Sequence, residues 1–211
     1  MIKLKQFTFN AFQVNCYVLY DETNECVIID ASCYTRAEKD ELKQFIAEKG
    51  LKPIHLLNTH CHIDHILGNY FISDTYNIFP EAHEGEKMFV DAAKQYGQSF
   101  GFDIEGPVPI QKFLIENQLI SIGNSSIKTI HVPGHSPGSI CYYAESEKLL
   151  ISGDVLFNNS IGRSDLPGGN HEQLIIGIRE KLLSLNDDVA VYPGHGEHTS
   201  IGNEKWSNPY F

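Results

Sequence analysis

The sequence predicts an α/β layered sandwich on three observations: strand-like segments alternate with helical ones, the alternation recurs in two comparable halves of the 211 residues, and strands stand first and last. "KLKQFTFN" (3–10), "NCYVLYD" (15–21) and "ECVIID" (25–30) read as the opening strands, the last two joined by a short turn at Glu22, Thr23 and Asn24. From Thr35 the period becomes helical: Thr35 and Glu38 form a capping box, Leu42, Phe45 and Ile46 an apolar stripe, and Gly50 a stop. "PIHLLN" (53–58) reads as a buried strand, "ILGNYFI" (66–72) as a short helix and "EGEKMFVDAAKQYG" (84–97) as a longer one, whereas residues 98–117 show neither period. The second half repeats the rhythm, with "QLISI" and "IKTIHV" around a Gly123-Asn124 turn, then "SICYYA" and "KLLIS" as strands. A helix follows from about Asn170 to Leu185 with Leu174, Ile175, Ile178 and Leu182 on one face, and "VAVY" (189–192) is the last strand.

Composition narrows the function. A chain of this length, 42% hydrophobic, can bury a sizeable core, and with no repeat or linker it is expected to form one domain over residues 1–211. Five cysteines, an odd number without C-x-x-C, and an N-terminus lacking a long apolar core point to a reducing cytoplasm. No run approaches the ~20 apolar residues of a membrane helix, so no membrane partner is expected. A formal charge of −11 argues against nucleic acid, whose phosphates are held by clustered Lys and Arg, and leaves a small molecule as the expected partner.

The densest chemistry lies in "THCHIDH" (59–65), three histidines and an aspartate in seven positions. Such a pattern should arise by accident about once in a thousand chains. The remaining strong ligands follow strands in the same manner: His135 in "HVPGHSPGS", Asp154 in "SGDVLF" and His195 in "YPGHGEH". In α/β folds, sites form in crevices at the carboxyl ends of strands, so four segments are expected to converge. Gly134, Gly153 and Gly194 each precede one of these ligands, where a permissive backbone lets the chain approach a compact centre. His60, His62 and His135 would make a three-nitrogen site with an open fourth position, as catalytic rather than structural zinc requires. Asp64, His65 and His195 would make a second site, and Asp154 could bridge the two.

T-H-x-H-x-D-H, then P-G-H, S-G-D and P-G-H-G in that order resemble the metallo-β-lactamase superfamily, and "GDVLF", "GRSDLPGG", "YPGHGEHTSIGNE" and "NPY" are similar to its short bacterial glyoxalase II-type hydrolases. The resemblance implies a four-layer αββα sandwich with two divalent metal ions at one edge between two mixed sheets, zinc first, with iron and manganese as other fillings. It implies the same partition of His60, His62 and His135, of Asp64, His65 and His195, and of a shared Asp154, with Asp30 as a supporting aspartate. It further implies hydrolysis of a thioester, S-lactoylglutathione or a related hydroxyacyl thioester, by a hydroxide between the metals, since metal binding lowers the pKa of water from 15.7 to near 7. Asp64 would orient that nucleophile as well as ligate. The longer glyoxalase II enzymes add a C-terminal helical region with glutathione contacts, which leaves the thiol carrier here open. Secreted metallo-β-lactamases are usually exported and several use a cysteine in the second site, so a penicillinase is not expected.

Two other classes stand beside the hydrolase. Persulfide dioxygenases share the motif order and resemble a single-iron version built on His60, His135 and Asp154, and they too carry G-R-x-D. A degenerate binding protein would have lost ligands, yet all seven are here. Arg163 is the candidate substrate contact, able to hold a carboxylate bidentately, but an internal pair with Asp165 that braces the loop weighs at least as much. Cys61 reads as a small packing residue, and His55, His83, His131, His171 and His198 as structural or surface histidines, with His131 also near enough in sequence to support His135.

Overall fold

Val14–Tyr20 (β2) is buried almost end to end because its two faces enter two different cores. Tyr17 and Leu19 pack with Val27, Ile29 and Leu57 against Ile120, Ile122, Ile127, Tyr142 and Ile151, while Cys16 and Val18 pack on the other side with Cys26, Ile28 and Leu56. A strand covered on both faces needs a near-continuous apolar run, which "CYVLY" supplies. The computed structural model, which describes residues 1–211, builds two six-stranded sheets on this plan.

The first sheet takes its strands in chain order: Lys3–Phe9 (β1), β2, Glu25–Ile29 (β3), Lys52–Leu57 (β4), Pro80–His83 (β5) and Lys112–Leu114 (β6). It is antiparallel through β3 and parallel beyond it. The second sheet contains Leu119–Ile122 (β7), Ser125–His131 (β8), Ile140–Ala144 (β9) and Leu149–Gly153 (β10). After a two-stranded ribbon, Leu156–Phe157 (β11) with Ser160–Ile161 (β12), it is completed by Ala190–Pro193 (β13) and Thr199–Ser200 (β14). Its order is β14-β13-β10-β9-β8-β7, with β10 and β13 parallel.

Helices cover both outer faces. Leu42 and Ile46 of Arg36–Glu48 (α1) and Ile72 of Asn69–Tyr76 (α3), which follows the single turn Ile63–Ile66 (α2), pack on the first sheet. Phe89 and Val90 of Lys87–Ser99 (α4) pack with Ala82 of β5 and with Cys61. Leu174 of His171–Gly177 (α5), Ile178 and Leu182 of the π-helical turn that extends it, and Ile201 of Ile201–Ser207 (α6) cover the second sheet. The result is the predicted helix–sheet–sheet–helix order. The capping box starts α1 as read: the Glu38 N–H donates to Thr35 Oγ1 (3.3 Å) and the Thr35 N–H to Glu38 Oε2 (2.8 Å).

Three expectations shift. The short helix read over 66–72 is broken in two: Asp64 and His65 lie on α2, a single turn too short to show a helical period, and α3 begins only at Asn69. Residues 98–117 contain the end of α4 and the three-residue edge strand β6. The chain does not close at "VAVY" but adds β14 and α6.

The sheets are fastened together at one edge. The Asn15 amide donates to the carbonyls of Pro193 (3.0 Å) and Gly196 (2.9 Å), Tyr17 Oη donates to Pro193 O (2.6 Å), and Tyr142 Oη donates across to Asn58 O (2.8 Å). These buried bonds hold the carboxyl ends of strands from both sheets in one place. No helix is long and apolar enough to cross a membrane.

Candidate metal centre

The segments after β4, β8, β10 and β13 bring His60, His62, Asp64, His65, His135, Asp154 and His195 to that edge, so all seven sequence-predicted ligands lie together. Potential ligand atoms of His60, His62 and His135 lie within 4.8 Å of one another, as do those of Asp64, His65 and His195, and those of His60, His65 and Asp154. The last grouping gives Asp154 a foot in both triads: its Oδ2 is 3.6 Å from His135 Nε2 and 3.5 Å from His195 Nε2, and its Oδ1 is 3.5 Å from His65 Nε2.

Close approach explains two of the flagged glycines. A Cβ on Gly194 would lie 2.1 Å from Asp154 Oδ1 and 2.9 Å from His65 Cε1. Gly153 has φ +51°, and its Cβ would lie 2.4 Å from Thr59 Oγ1.

Hydrogen bonds behind the rings decide what the centre can hold. His135 Nδ1–H donates to Arg163 O (2.8 Å), His195 Nδ1–H to Phe12 O (2.9 Å) and His65 Nδ1–H to Asp30 Oδ2 (3.0 Å). The Thr59 hydroxyl spends its proton on Asp30 Oδ2 (2.7 Å), so at 3.1 Å it accepts from His60 Nδ1–H. In the neutral ring this assigns every one of these four protons to Nδ1 and turns the Nε2 lone pair inward. His60 Nε2 then faces His135 Nε2 at 3.2 Å, and His65 Nε2 faces His195 Nε2 at 3.3 Å. Opposed lone pairs repel unless a cation lies between them. His62 Nε2 and Asp154 Oδ1 are also buried without a hydrogen-bond partner. A donor set of five imidazoles and two carboxylates with orphaned inward acceptors fits divalent metal ions, and the outer hydrogen bonds are those that orient metal-bound histidines.

The charge pattern agrees. Burial lowers the pKa of His60 well below its ordinary value and that of His62 to about 3, and it lowers His135 as well. At His65 and His195 burial acts the same way but is outweighed by Asp154 and Asp64, and the metal-free values rise to about 9 and about 10. Asp154 is pushed up by burial, yet His65, His195 and His135 hold it far below the usual carboxylate range. At neutral pH the metal-free centre therefore draws in protons where cations would reside.

Above the centre lies a cleft of about 650 Å³ walled by Phe12, Ile63, Phe89, Tyr96, Phe100 and Phe157. Arg163 reaches its rim, but its Nε and Nη2 each donate to Asp165 at 2.8 Å, the internal pair. Cys61 is buried with Ala82, Phe89 and Val90, and burial pushes its thiol pKa well up. His55 pairs with Glu81, His131 stacks on His83 (4.0 Å) and bonds Pro137 O (3.0 Å), His198 stacks on Tyr192, and His171 bonds Ser164. None of these histidines joins the centre.

Sequence reading missed the β1–β2 turn, which contributes the Phe12 ring to the cleft, the Phe12 carbonyl to His195, and an Asn10 amide bond to Asp64 O (2.9 Å). Asn10, a residue type that tolerates the left-handed backbone it adopts there (φ +56°), is a signal of that turn in the sequence; Gln13, also left-handed, is not a turn-forming type.

Comparison with known proteins gives a consistent group. A model described as the Metallo-beta-lactamase superfamily matches residues 9–195. A Haemophilus influenzae protein named hydroxyacylglutathione hydrolase GloC is 36% identical over 95% of this chain and 93% of its own. The crystal structure of the BLEG-1 B3 metallo-beta-lactamase superposes with TM-score 0.89 at 36% identity over 99% of both chains. That of TTHA1623 in a di-iron-bound form gives 0.86 at 30% identity over 98% of this chain and 100% of the other.

Proposed function

The chain belongs to the metallo-β-lactamase superfamily and is a metallohydrolase, and from that premise we propose that it cleaves hydroxyacyl thioesters, as hydroxyacylglutathione hydrolases do. The observation that carries the reading is the convergence of inward imidazole lone pairs and two carboxylates at the floor of an aromatic cleft. We assign His60, His62 and His135 to one divalent ion, Asp64, His65 and His195 to the other, and Asp154 to both, with zinc as the first filling and iron, as in the di-iron relative, as the second. Bound there, such ions supply Lewis acidity toward a carbonyl oxygen and acidify water at neutral pH.

The chain's own residues do the rest. Phe12, Phe89, Tyr96 and Phe100 line the cleft and give the acyl and thiol portions an apolar bed, so that a bound substrate displaces water from above the centre. Burial pushes the Asp64 pKa up, but His65 and His195 hold it below the usual carboxylate value, so Asp64 keeps an acceptor oxygen to orient the proton of the attacking water. No side chain needs to act as covalent nucleophile, because Cys61 is turned away into its own small core. The thiolate of a thioester departs without a proton donor.

The test follows loss of thioester absorbance when zinc-loaded protein meets S-D-lactoylglutathione, beside a His135→Ala control and a cephalosporin. Turnover of the thioester that the control abolishes supports the reading. Negligible thioester turnover with fast lactam cleavage overturns it in favour of a lactamase, and oxygen uptake by iron-loaded protein on glutathione persulfide overturns it in favour of a dioxygenase.

A further inference from the structure

Glu86 stands in "EGEK", between β5 and the first residue of α4, and is wholly buried, whereas Glu84 beside it is exposed. Three donors converge on its carboxylate. The Cys61 N–H, between His60 and His62, donates to Oε2 at 2.6 Å. The Ser136 hydroxyl and the Gly138 N–H, one and three residues beyond His135, donate to Oε1 at 2.7 and 2.8 Å. Ser139 closes the set: its hydroxyl lies 2.7 Å from Ser136 Oγ, whose proton is already committed to Glu86, so Ser139 is the donor there, and its oxygen accepts from Ser136 N–H (3.2 Å).

Every group facing the carboxylate is thus a donor, and only an acceptor with two oxygens satisfies them all. Burial holds the Glu86 pKa above the ordinary carboxylate value, while the three donors act in the opposite direction. One residue further on begins the helix that walls the cleft, and the Phe89 ring lies 4.8 Å from the His62 ring.

We infer that Glu86 is a positioning residue for the first triad: a single carboxylate fastens the segment holding His60 and His62 to the loop holding His135, where the cleft-wall helix starts. This rests on reading His60, His62 and His135 as metal ligands, and it concerns the metal rather than the substrate. Loss of Glu86 should loosen the first site and spare the second, whose ligands His65 and His195 are oriented by Asp30 and Phe12.

In Glu86→Gln the amide nitrogen must face either the Cys61 or the Gly138 N–H, so one donor always meets another. Zinc is titrated against a chromophoric chelator in wild type, Glu86→Gln, His62→Ala to mark the first site and His195→Ala to mark the second. We expect Glu86→Gln to bind the first-site equivalent about 10–100-fold more weakly, the range seen when an outer-shell partner is removed, and the other within about threefold. The cobalt-loaded variant should show an altered visible band only for the weakened equivalent.

Two equivalents at wild-type affinity, or equal loss at both sites, overturn the inference. Should Glu86→Gln not fold, Ser136→Ala keeps the carboxylate and removes one donor; it should show the same asymmetry at smaller size, and no asymmetry there overturns the inference too. Wild-type protein that takes up neither zinc nor ferrous iron would instead defeat the metal reading itself.

Discussion

Replacing Asp30 by Asn tests the orientation argument at its most connected point. Asp30 is 1% exposed and accepts three hydrogen bonds: Thr59 N–H at Oδ1 (2.7 Å), and the Thr59 hydroxyl (2.7 Å) and His65 Nδ1–H (3.0 Å) at Oδ2. Its backbone is left-handed at φ +51°, a conformation Asn tolerates, so the change addresses the carboxylate and not the turn. A carboxamide offers one oxygen. If that oxygen serves His65, the amide N–H₂ opposes the Thr59 N–H, and a buried donor left unpaired costs about 1–3 kcal/mol. If it serves Thr59, His65 must move its proton to Nε2 and the second triad loses a ligand atom.

Through the Thr59 hydroxyl the same change unsettles the His60 tautomer. Zinc affinity should therefore fall about 10–100-fold, equal to about 1.4–2.7 kcal/mol, at both equivalents rather than one. Competition with a chelator at fixed pH measures the first quantity, and thermal unfolding of metal-free protein the second, with Tm expected to drop by about 2–12 °C for 1–3 kcal/mol in a chain of this size. Affinity for both equivalents equal to wild type would refute the claim that outer hydrogen bonds fix these rings.

Further outcomes follow from the same geometry. Because carboxylates raise His65 to about 9 and His195 to about 10 in the metal-free fold, their stabilising contribution is full below the unfolded value of 6.5 and is lost as pH rises through 9–10; metal-free Tm should fall between those limits, while apparent zinc affinity climbs about tenfold per pH unit per displaced proton below about 9 and levels off above about 10. Calorimetry in buffers of different ionisation enthalpy should show protons released on zinc uptake at pH 7, and none released would contradict the charge pattern. Gly194→Ala puts a methyl 2.1 Å from Asp154 Oδ1 and 2.9 Å from His65 Cε1, and should weaken uptake of both zinc ions, the second more because it also loses His65, while the circular dichroism stays native. Arg163→Met removes an exposed pair with Asp165 and should change kcat/KM by no more than about fivefold; a loss beyond a hundredfold would make Arg163 a substrate contact.

The distribution of what the sequence disclosed has a chemical cause. Metal ligation restricts residue type to a few side chains, so His60, His62, Asp64 and His65 stand out as a cluster, and His135, Asp154 and His195 stand out beside glycines, of which Gly153 and Gly194 alone fit against the crowded centre while Gly134 abuts the start of α5. Long buried elements are legible for a similar reason: Cys16, Val18, Tyr17 and Leu19 must all be apolar because both faces of β2 are covered. Elements of two to four residues, such as α2, β6 and β14, are shorter than any period and leave no pattern.

What orients the ligands is hardest to read, because a backbone carbonyl carries no residue identity. The acceptors at His135 and His195 are the main chains of Arg163 and Phe12, and any residue in those places would offer the same oxygen. Even Glu86 is spelled like the exposed Glu84 two positions before it. Burial alone separates them, and burial is a property of the whole fold. It follows that a variant in which all seven ligands persist can still lose its metals through an outer partner, which is the outcome Asp30→Asn is designed to expose: a retained motif is a necessary condition for the centre, and the hydrogen bonds behind it decide whether the lone pairs face inward.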